Sequence, residues 1–522
     1  MKIINNLLDR IFINKKIVED TKKLEKELIH TKNKDEYVLF DYKSSYSVLI
    51  TYYHLIKVLN QKLGISNFKY INNSYIKRLD IYKVPNRNFD YFFKNIMNKI
   101  ETSELKDNQI NKSKLKEIIN NFNKKEEIVY YKIDGLLVGD LIYDTYLKWN
   151  KVETIDMNDK DRLFKVFLQA HTLYNEVKTI YSQNCKINYY ITGDIAYIYS
   201  GISARYLAKR DIKVINFIES KGLDINFLDK QYFYRRHKYW EYNMFNIENI
   251  KHIREISKNE LQSKLENGEQ KYIYMKNNTF SYDKEQKYKT ILDEIKKIEF
   301  KVLIPLHCFM DSPHLYRWIC YADFYEWITD TLNILETLNI KAIIKPHPNG
   351  FPENDKIILK LKTKFKNHIF IDKNISNRIF IDMKVDTVLT VYGSVGYEFA
   401  YFDIPVISAG DNPHVAFNFV KTCINKDEYQ KVLQNIKSFT YKIDKNEIYD
   451  FYYIHYIKDY FIEGINPIYP FGLFLETINN EDTPQVQRES YHHNSKVLDI
   501  EMKYLSSNHY DNIEKEIEKR WF

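Results

Sequence analysis

The stretch DTVLTVYGSVGYEFAYFDIPVISAG, residues 386–410, decides the fold. Apolar β-formers run up to Tyr392 and stop at Gly393; a GSVG turn follows, then a helix over about 395–403, then a second apolar run from Pro405 to Gly410. The same unit recurs upstream. Strands are expected at 301–309 (KVLIPLHCF), 341–347 and 368–372, separated by helices at about 318–338 and 355–366. Strands that alternate with helices in this rhythm predict a parallel sheet with crossover helices.

The N-terminal half repeats the theme less regularly. YVLFDY at 37–42 reads as a strand leading into a helix that ends near Gly64, and 65–126 reads as lysine-rich helices exposed on one side. Residues 130–149 read as strand, Gly-containing turn and helix, and an amphipathic stretch over about 160–182 leads to INYYITGDIAYIYSGISARYLAKRDIKVINF at 187–217, a strand, turn, helix and strand in order. The last N-terminal elements and the crossing between domains are expected within 224–300. The expected architecture is α/β: an N-terminal domain with helical insertions at 1–285, a second domain at 286–445, and a helical extension at 446–522 packing back on the domains.

A chain of 522 residues supports two cores, and 44% hydrophobic content fills them. Lys plus Arg number 78 against 70 Asp plus Glu, a net +8 in which Lys and Glu alternate. A nucleic-acid groove needs clustered basic residues with aromatic platforms, so no nucleic-acid partner is expected. The modest excess suits anionic sugar nucleotides or an anionic membrane surface. Cys185, Cys308, Cys320 and Cys423 form no CxxC pair and no zinc spacing, which excludes a disulfide scaffold and fits a reducing compartment. No apolar run approaches the roughly 20 residues of a bilayer span. The N-terminus also lacks the apolar segment of a signal peptide, so a cytoplasmic location is expected.

Three clusters carry candidate chemistry. In IIKPHPNG, 343–350, Lys345 and His347 sit at the carboxyl end of a strand, the edge where open α/β sheets bind ligands. Lys345 can neutralise phosphate; His347, held by two prolines, can donate to phosphate or to a departing oxygen, or can simply ride on a rigid turn. In the second cluster Gly393 and Gly396 permit close approach of a ligand, Ser394 can cap the helix or bind phosphate, and Glu398 can accept from sugar hydroxyls. The third, LHCFMDSPHLYRW at 306–318, offers His307, Asp311, Ser312 and His314 to phosphate or sugar hydroxyls, or serves as a structural loop; it lacks a defined metal-ligand spacing, and no metal is expected. On the N-terminal side Asp134 and Asp194 fall near strand ends, as candidates for general base or as turn residues, with Asp140, Asp144 and Arg205 nearby in sequence.

The residues Lys345-Pro346-His347-Pro348 and Gly393-Ser394-Val395-Gly396-Tyr397-Glu398, with Gly410 closing the next strand, resemble bacterial surface-polysaccharide glycosyltransferases of GT-B architecture. That group contains capsule biosynthesis proteins, Kdo and sialic acid transferases and polyglycerol-phosphate transferases. The resemblance covers about 300–415 and, less closely, 130–217. It implies two Rossmann-like domains facing across a cleft. The donor nucleotide, commonly CMP- or CDP-linked, would be held by Lys345, His347, Ser394 and Glu398, without an essential metal or other cofactor. It also implies a base near an Asp-Gly turn, which Asp134-Gly135 matches, although Ile133 stands where some relatives carry another acid. The implied reaction transfers a sugar to a growing capsule or surface polysaccharide, or to a lipid-linked glycan, with peripheral membrane contact through the basic, aromatic C-terminus. A sugar-nucleotide epimerase or hydrolase of similar fold, and a noncatalytic glycan-assembly component, are the alternatives.

Overall fold

The computed structural model describes residues 36–42, 64–71, 87–100, 110–183, 186–218, 224–228, 233–234, 250–266, 288–316, 318–348 and 352–457, with scattered positions between 18 and 60. The expected elements at 461–522, and Cys185, lie outside the described residues.

In the N-terminal half the strands are β1 (Glu36–Asp41), β2 (Phe68–Ile71), β3 (Asn98–Ile100), β4 (Lys132–Ile133), β5 (Leu136–Leu137), β6 (Lys186–Thr192), β7 (Lys213–Ile218) and β8 (Asp224–Leu228). The helices are α1 (Arg87–Ile96), α2 (Lys112–Asn121), α3 (Lys125–Val129), α4 (Gly139–Asn150), α5 (Lys160–Ser182) and α6 (Ile198–Ala208). Strands β4 and β5 form a separate hairpin; the other six make one sheet in the order β3-β2-β1-β6-β7-β8, parallel except for the antiparallel edge β8. Residues 65–126 therefore correct the reading of that stretch as helices alone. Phe68, Tyr70 and Ile71 are buried in β2, a strand of only four residues whose pattern is swamped by the lysines and asparagines around it.

The C-terminal half carries β9 (Val302–Pro305), β10 (Ala342–Lys345), β11 (Ile369–Phe370), β12 (Thr387–Thr390), β13 (Val406–Ser408) and β14 (Lys421–Thr422). Its helices are α7 (Ile250–Leu265), α8 (Lys289–Lys296), α9 (Phe324–Thr337), α10 (Pro352–Lys364), α11 (Asn377–Asp382), α12 (Val395–Ala400), α13 (Lys426–Gln434) and α14 (Lys445–Tyr452). The sheet is wholly parallel, in the order β11-β10-β9-β12-β13-β14. Counting only sheet strands, both sheets follow the 3-2-1-4-5-6 order of the doubly wound dinucleotide fold. Two such sheets flanked by helices make a two-domain α/β architecture of GT-B type, as the sequence reading expects.

Strand alternation builds the C-terminal core on two faces. Leu303, Ile343, Val388 and Val406 face α7, α8, α11, α12 and α14, while Val302, Ile304, Ile344, Leu389 and Ile407 face α9, α10 and α13. Burial on both faces explains the apolar residues that fill the middle of β9, β10 and β12. Helix α7 lies ahead of residue 285 but packs on this sheet through Leu261 and Leu265, and Arg254 on it clasps Asp450 on α14 with two bonds of 2.8 and 2.7 Å. Among the described residues no helix is long and apolar enough to cross a membrane.

Candidate functional site

The order of the C-terminal sheet reverses between β9 and β12, and the crevice beyond their carboxyl ends is where a doubly wound sheet binds its ligand. His307 follows β9 and fills part of that crevice. The amides of Val391 and Tyr392 donate to its Nε2 at 3.3 and 3.4 Å, and its ring stacks on Phe324 at 4.7 Å. An Nε2 that accepts leaves the proton on Nδ1, the neutral tautomer. Burial, with a contribution from His347, pushes its pKa down to about 3 in agreement. His307 thus holds the loop after β12. Gly393 in that loop has φ +130°, which only glycine adopts without strain.

One strand over, β10 delivers Lys345. Its side chain is buried, 3% exposed, and donates to Asn377 Oδ1 at 2.5 Å. Burial lowers its pKa to about 8 against the pull of Glu398. Glu398 on α12 is itself only 3% exposed, and its Oε1 lies 3.9 Å from Nζ of Lys264. His347 is half-buried; burial lowers its pKa, Asp311 pulling the other way and Lys345 adding to the fall, so the ring is a neutral donor near pH 7. Ser394 is half-buried, makes no cap bond, and its hydroxyl has no partner among the described residues. Gly396 serves a neighbour: a Cβ there would meet Nε2 of buried His414 at 2.0 Å.

The two domains meet along a seam of buried acids. Asp144 on α4, 1% exposed, accepts from Nδ1 of His314 at 2.6 Å and from the His314 amide at 3.1 Å. Burial opposes the charge on His314, Asp144 outweighs it, and the imidazole pKa rises; burial also raises that of Asp144 against the pull of His314. The reciprocal acid is Asp323, fully buried at the start of α9. Its Oδ1 caps that helix through the Glu326 amide, and its Oδ2 accepts from Lys125, Tyr143 and Thr154 at 3.0, 2.5 and 2.5 Å. Lys151–Glu353 and Lys360–Glu153, at 2.7 and 2.9 Å, add surface pairs across the seam.

Asp311 is exposed in the loop after β9, and across the seam the Tyr197 hydroxyl donates to it at 3.3 Å, with Lys148 at 3.8 Å. Tyr197 stacks on Tyr199, whose hydroxyl donates to Asp194 at 2.6 Å; Asp194 also accepts from the Ala196 amide at 2.8 Å. The loop of Asp194 therefore borders the second domain. Asp134 stands elsewhere, on the exposed β4–β5 turn at φ 47°, bound to Lys178 and Tyr174, each at 3.1 Å. Those two donors hold its carboxyl below the usual range, the wrong direction for a general base. Arg205, considered in sequence as a phosphate partner, makes a buried two-bond pair with Asp140 at 2.6 Å on each arm.

Sequence reasoning missed Lys264, Asn377, Asp323 and Asp41. Asp41 ends β1 at the switch point of the N-terminal sheet and accepts from Thr192 at 2.5 Å and from Tyr190; an acid closing the apolar run YVLF was a legible signal. The other three needed the fold. Among the described residues no three His, Cys, Asp or Glu side chains come together as a metal-holding group.

No protein-family model matches the chain, and no curated protein matches it in sequence. Among solved structures, UDP-GlcNAc 2-epimerase from Methanocaldococcus jannaschii is similar over 79% of this chain and 97% of its own, at 11% identity and a TM-score of 0.27. The UDP-GlcNAc 2-epimerase of Neisseria meningitidis is similar over 85% and 99%, at 12% identity and 0.25. A glycosyltransferase from Rickettsia africae ESF-5 is similar over 90% and 99%, at 11% identity and 0.26. Scores this low describe no common site; the fold assignment rests on the two sheet orders.

Proposed function

We propose that this chain is a GT-B glycosyltransferase that moves a sugar from a nucleotide donor, CMP-linked as the resemblance implies, to a growing capsule or surface polysaccharide or lipid-linked glycan, without a metal. The observation that carries the reading is Lys345, a buried ammonium at the carboxyl end of β10 in a Rossmann-order sheet. A buried cation there is stabilised by an anionic ligand and contributes little to folding by itself.

In this reading the donor lies over the ends of β9, β10 and β12. Lys345 takes a phosphate oxygen, neutral His347 donates to the departing oxygen, and Ser394 and the Gly393 backbone border the phosphate. His307 and Gly396 act indirectly, His307 by fixing the 391–393 loop and Gly396 by seating α12 on His414. Asp311 and His314 belong to the closing seam beside the donor. Of the two N-terminal carboxylates we assign the base to Asp194, whose loop borders the second domain, with Asp134 as the weaker candidate. The acceptor hydroxyl gives its proton to Asp194 as its oxygen bonds to the anomeric carbon; the bond from that carbon to phosphate breaks, and its electron pair leaves on the nucleotide.

The domain limits follow the packing of α7: because Phe233 still packs on the N-terminal core, we place the crossing between Tyr234 and Ile250, ahead of the expected 285. A cytoplasmic enzyme touching the membrane at its acceptor completes the proposal. The test is release of nucleotide from CMP-, CDP-, UDP- and GDP-linked sugars, with and without glycan acceptors and EDTA. Acceptor-dependent release of one nucleotide that survives EDTA is expected. Release without acceptor would convert the reading to epimerase or hydrolase, and no binding of any donor would overturn the site.

A further inference from the structure

Helix α10 runs into a basic stretch. KIILKLKTKFK, residues 356–366, holds five lysines and no acid. Its inner side belongs to the core, where Ile357 and Leu361 are buried together with Phe365 just past the helix end. At about 3.6 residues per turn the opposite face presents Lys356, Leu359, Lys360, Lys362, Thr363 and Lys364, all exposed, and Lys366 extends it into the turn beyond. Leu359 is 65% exposed, a large apolar side chain with lysines three positions before and three after it on the same face.

Local structure accounts for part of this charge. Glu153 pairs with Lys360 at 2.9 Å, and Lys362 and Lys364 complement the dipole in the last turn. Lys356, in the second turn, gains nothing from the dipole. Among the described residues Lys356, Lys362, Lys364 and Lys366 make no ion pair. One exposed leucine is ordinary, and so is one solvated lysine face; an outward leucine set among unpaired lysines joins an apolar anchor to a positive field. That pairing fits the headgroup boundary of an anionic bilayer, where the leucine enters the acyl edge and the lysine stems reach back to phosphates. A nucleic acid would be met by outward aromatic platforms or arginines, and this face of α10 carries neither. The helix also starts at the interdomain seam: Glu353 meets Lys151 at 2.7 Å, and Asn354 Oδ1 accepts from the Phe309 amide in the loop after β9 at 3.3 Å.

We propose that the outer face of α10 docks on an anionic lipid bilayer, with Leu359 as the inserted anchor and Lys356, Lys362, Lys364 and Lys366 as its headgroup ligands. The surface is distinct from the C-terminal extension at 446–522. The contact is read from α10 itself; its purpose, bringing a lipid-linked acceptor alongside the seam, rests on the glycosyltransferase reading.

The experiment is co-sedimentation of the full chain with vesicles of phosphatidylcholine alone and of phosphatidylcholine mixed with phosphatidylglycerol. Wild type is expected on the mixed vesicles only, and should leave them when salt screens the charges. A lysine near an anionic surface is worth about fivefold in partitioning, so the triple variant Lys356→Gln, Lys362→Gln, Lys366→Gln should bind about a hundredfold more weakly. Leu359→Ser should lose about tenfold. A charge-matched control, Lys431→Gln, Lys437→Gln, Lys442→Gln, removes three exposed charges from the same domain and should lose less than about threefold. All these positions are exposed and lie outside the donor site, so nucleotide release with a soluble acceptor should be unchanged in every variant. Wild type that ignores the mixed vesicles overturns the surface, and so does an α10 triple variant that binds them as wild type does. Equal losses in the two triple variants reduce the effect to net charge and overturn it as well. An oligonucleotide bound as tightly as the vesicles, with no response to Leu359→Ser, would make the face a nucleic-acid surface instead. Vesicle binding that follows the variants while no sugar is transferred upholds the surface and removes only its glycosyltransferase purpose.

Discussion

Replacing Asp144 by alanine attacks one of the buried contacts that join the two domains. The structure gives two bonds to count: a charge-assisted one to Nδ1 of His314 at 2.6 Å and one to its amide at 3.1 Å. Both donors stay buried in the variant. Losing the first costs roughly 2–3 kcal/mol and stranding the amide roughly 1 more, so Asp144→Ala should destabilise by about 3–4 kcal/mol. His314→Ala leaves the acid without its counter-charge and should cost a similar amount. The double variant removes the interaction once, giving a coupling of about 2 kcal/mol in the cycle. The assay is urea unfolding of the four proteins by tryptophan fluorescence at pH 6, read on the first transition because two cores can melt separately. Additive effects, or single losses under about 1 kcal/mol, would refute the seam as an energetic joint. The pH dependence supplies a second check. The folded-state pKa of His314 lies above its ordinary 6.5, so its contribution is whole below pH 6.5 and is lost as pH rises through the folded value. The shift of Asp144 is also upward from 3.8 and acts in the same sense from lower pH. Wild-type stability should therefore fall relative to the double variant as pH rises across this range; a flat difference would refute the shifts.

Gly396→Ala places a methyl 2.0 Å from Nε2 of His414, whose ring is hemmed in by Phe419 and Phe451 at 5.5 and 5.2 Å, so calorimetry should show a loss of about 1–3 kcal/mol. Asp194→Asn should lower acceptor-dependent turnover by roughly 10²–10⁴ with donor affinity retained, while Asp134→Asn leaves turnover near wild type; the reverse pattern in a nucleotide-release assay would move the base to the β4–β5 turn. Arg205→Met strands buried Asp140 and should cost about 3–5 kcal/mol in urea unfolding, most of it recovered when Asp140 is also made apolar.

The sequence by itself determined most of the second sheet. Apolar strands at 302–305, 342–345 and 387–390, each leading through a loop to a helix, with another at 406–408, leave a chain no cheaper arrangement than a parallel sheet buried on both faces. Periodicity also placed Lys345 and Gly393 at strand ends, because a strand's length fixes where its last side chain emerges. It was silent where elements are too short to show a period, as with β2, β3 and β14, and where partners are far apart in the chain. Lys264 and Glu398 are separated by 134 positions (398 − 264) and Asp144 and His314 by 170, and no local pattern signals that a buried lysine will face that acid or that a loop histidine will close a seam. Only the tertiary structure decided that Asp134 faces solvent, that Asp194 borders the second domain, and that Gly396 makes room for His414. The physical reason is that burial and charge pairing depend on what packs against a residue, whereas backbone period depends only on its neighbours in sequence.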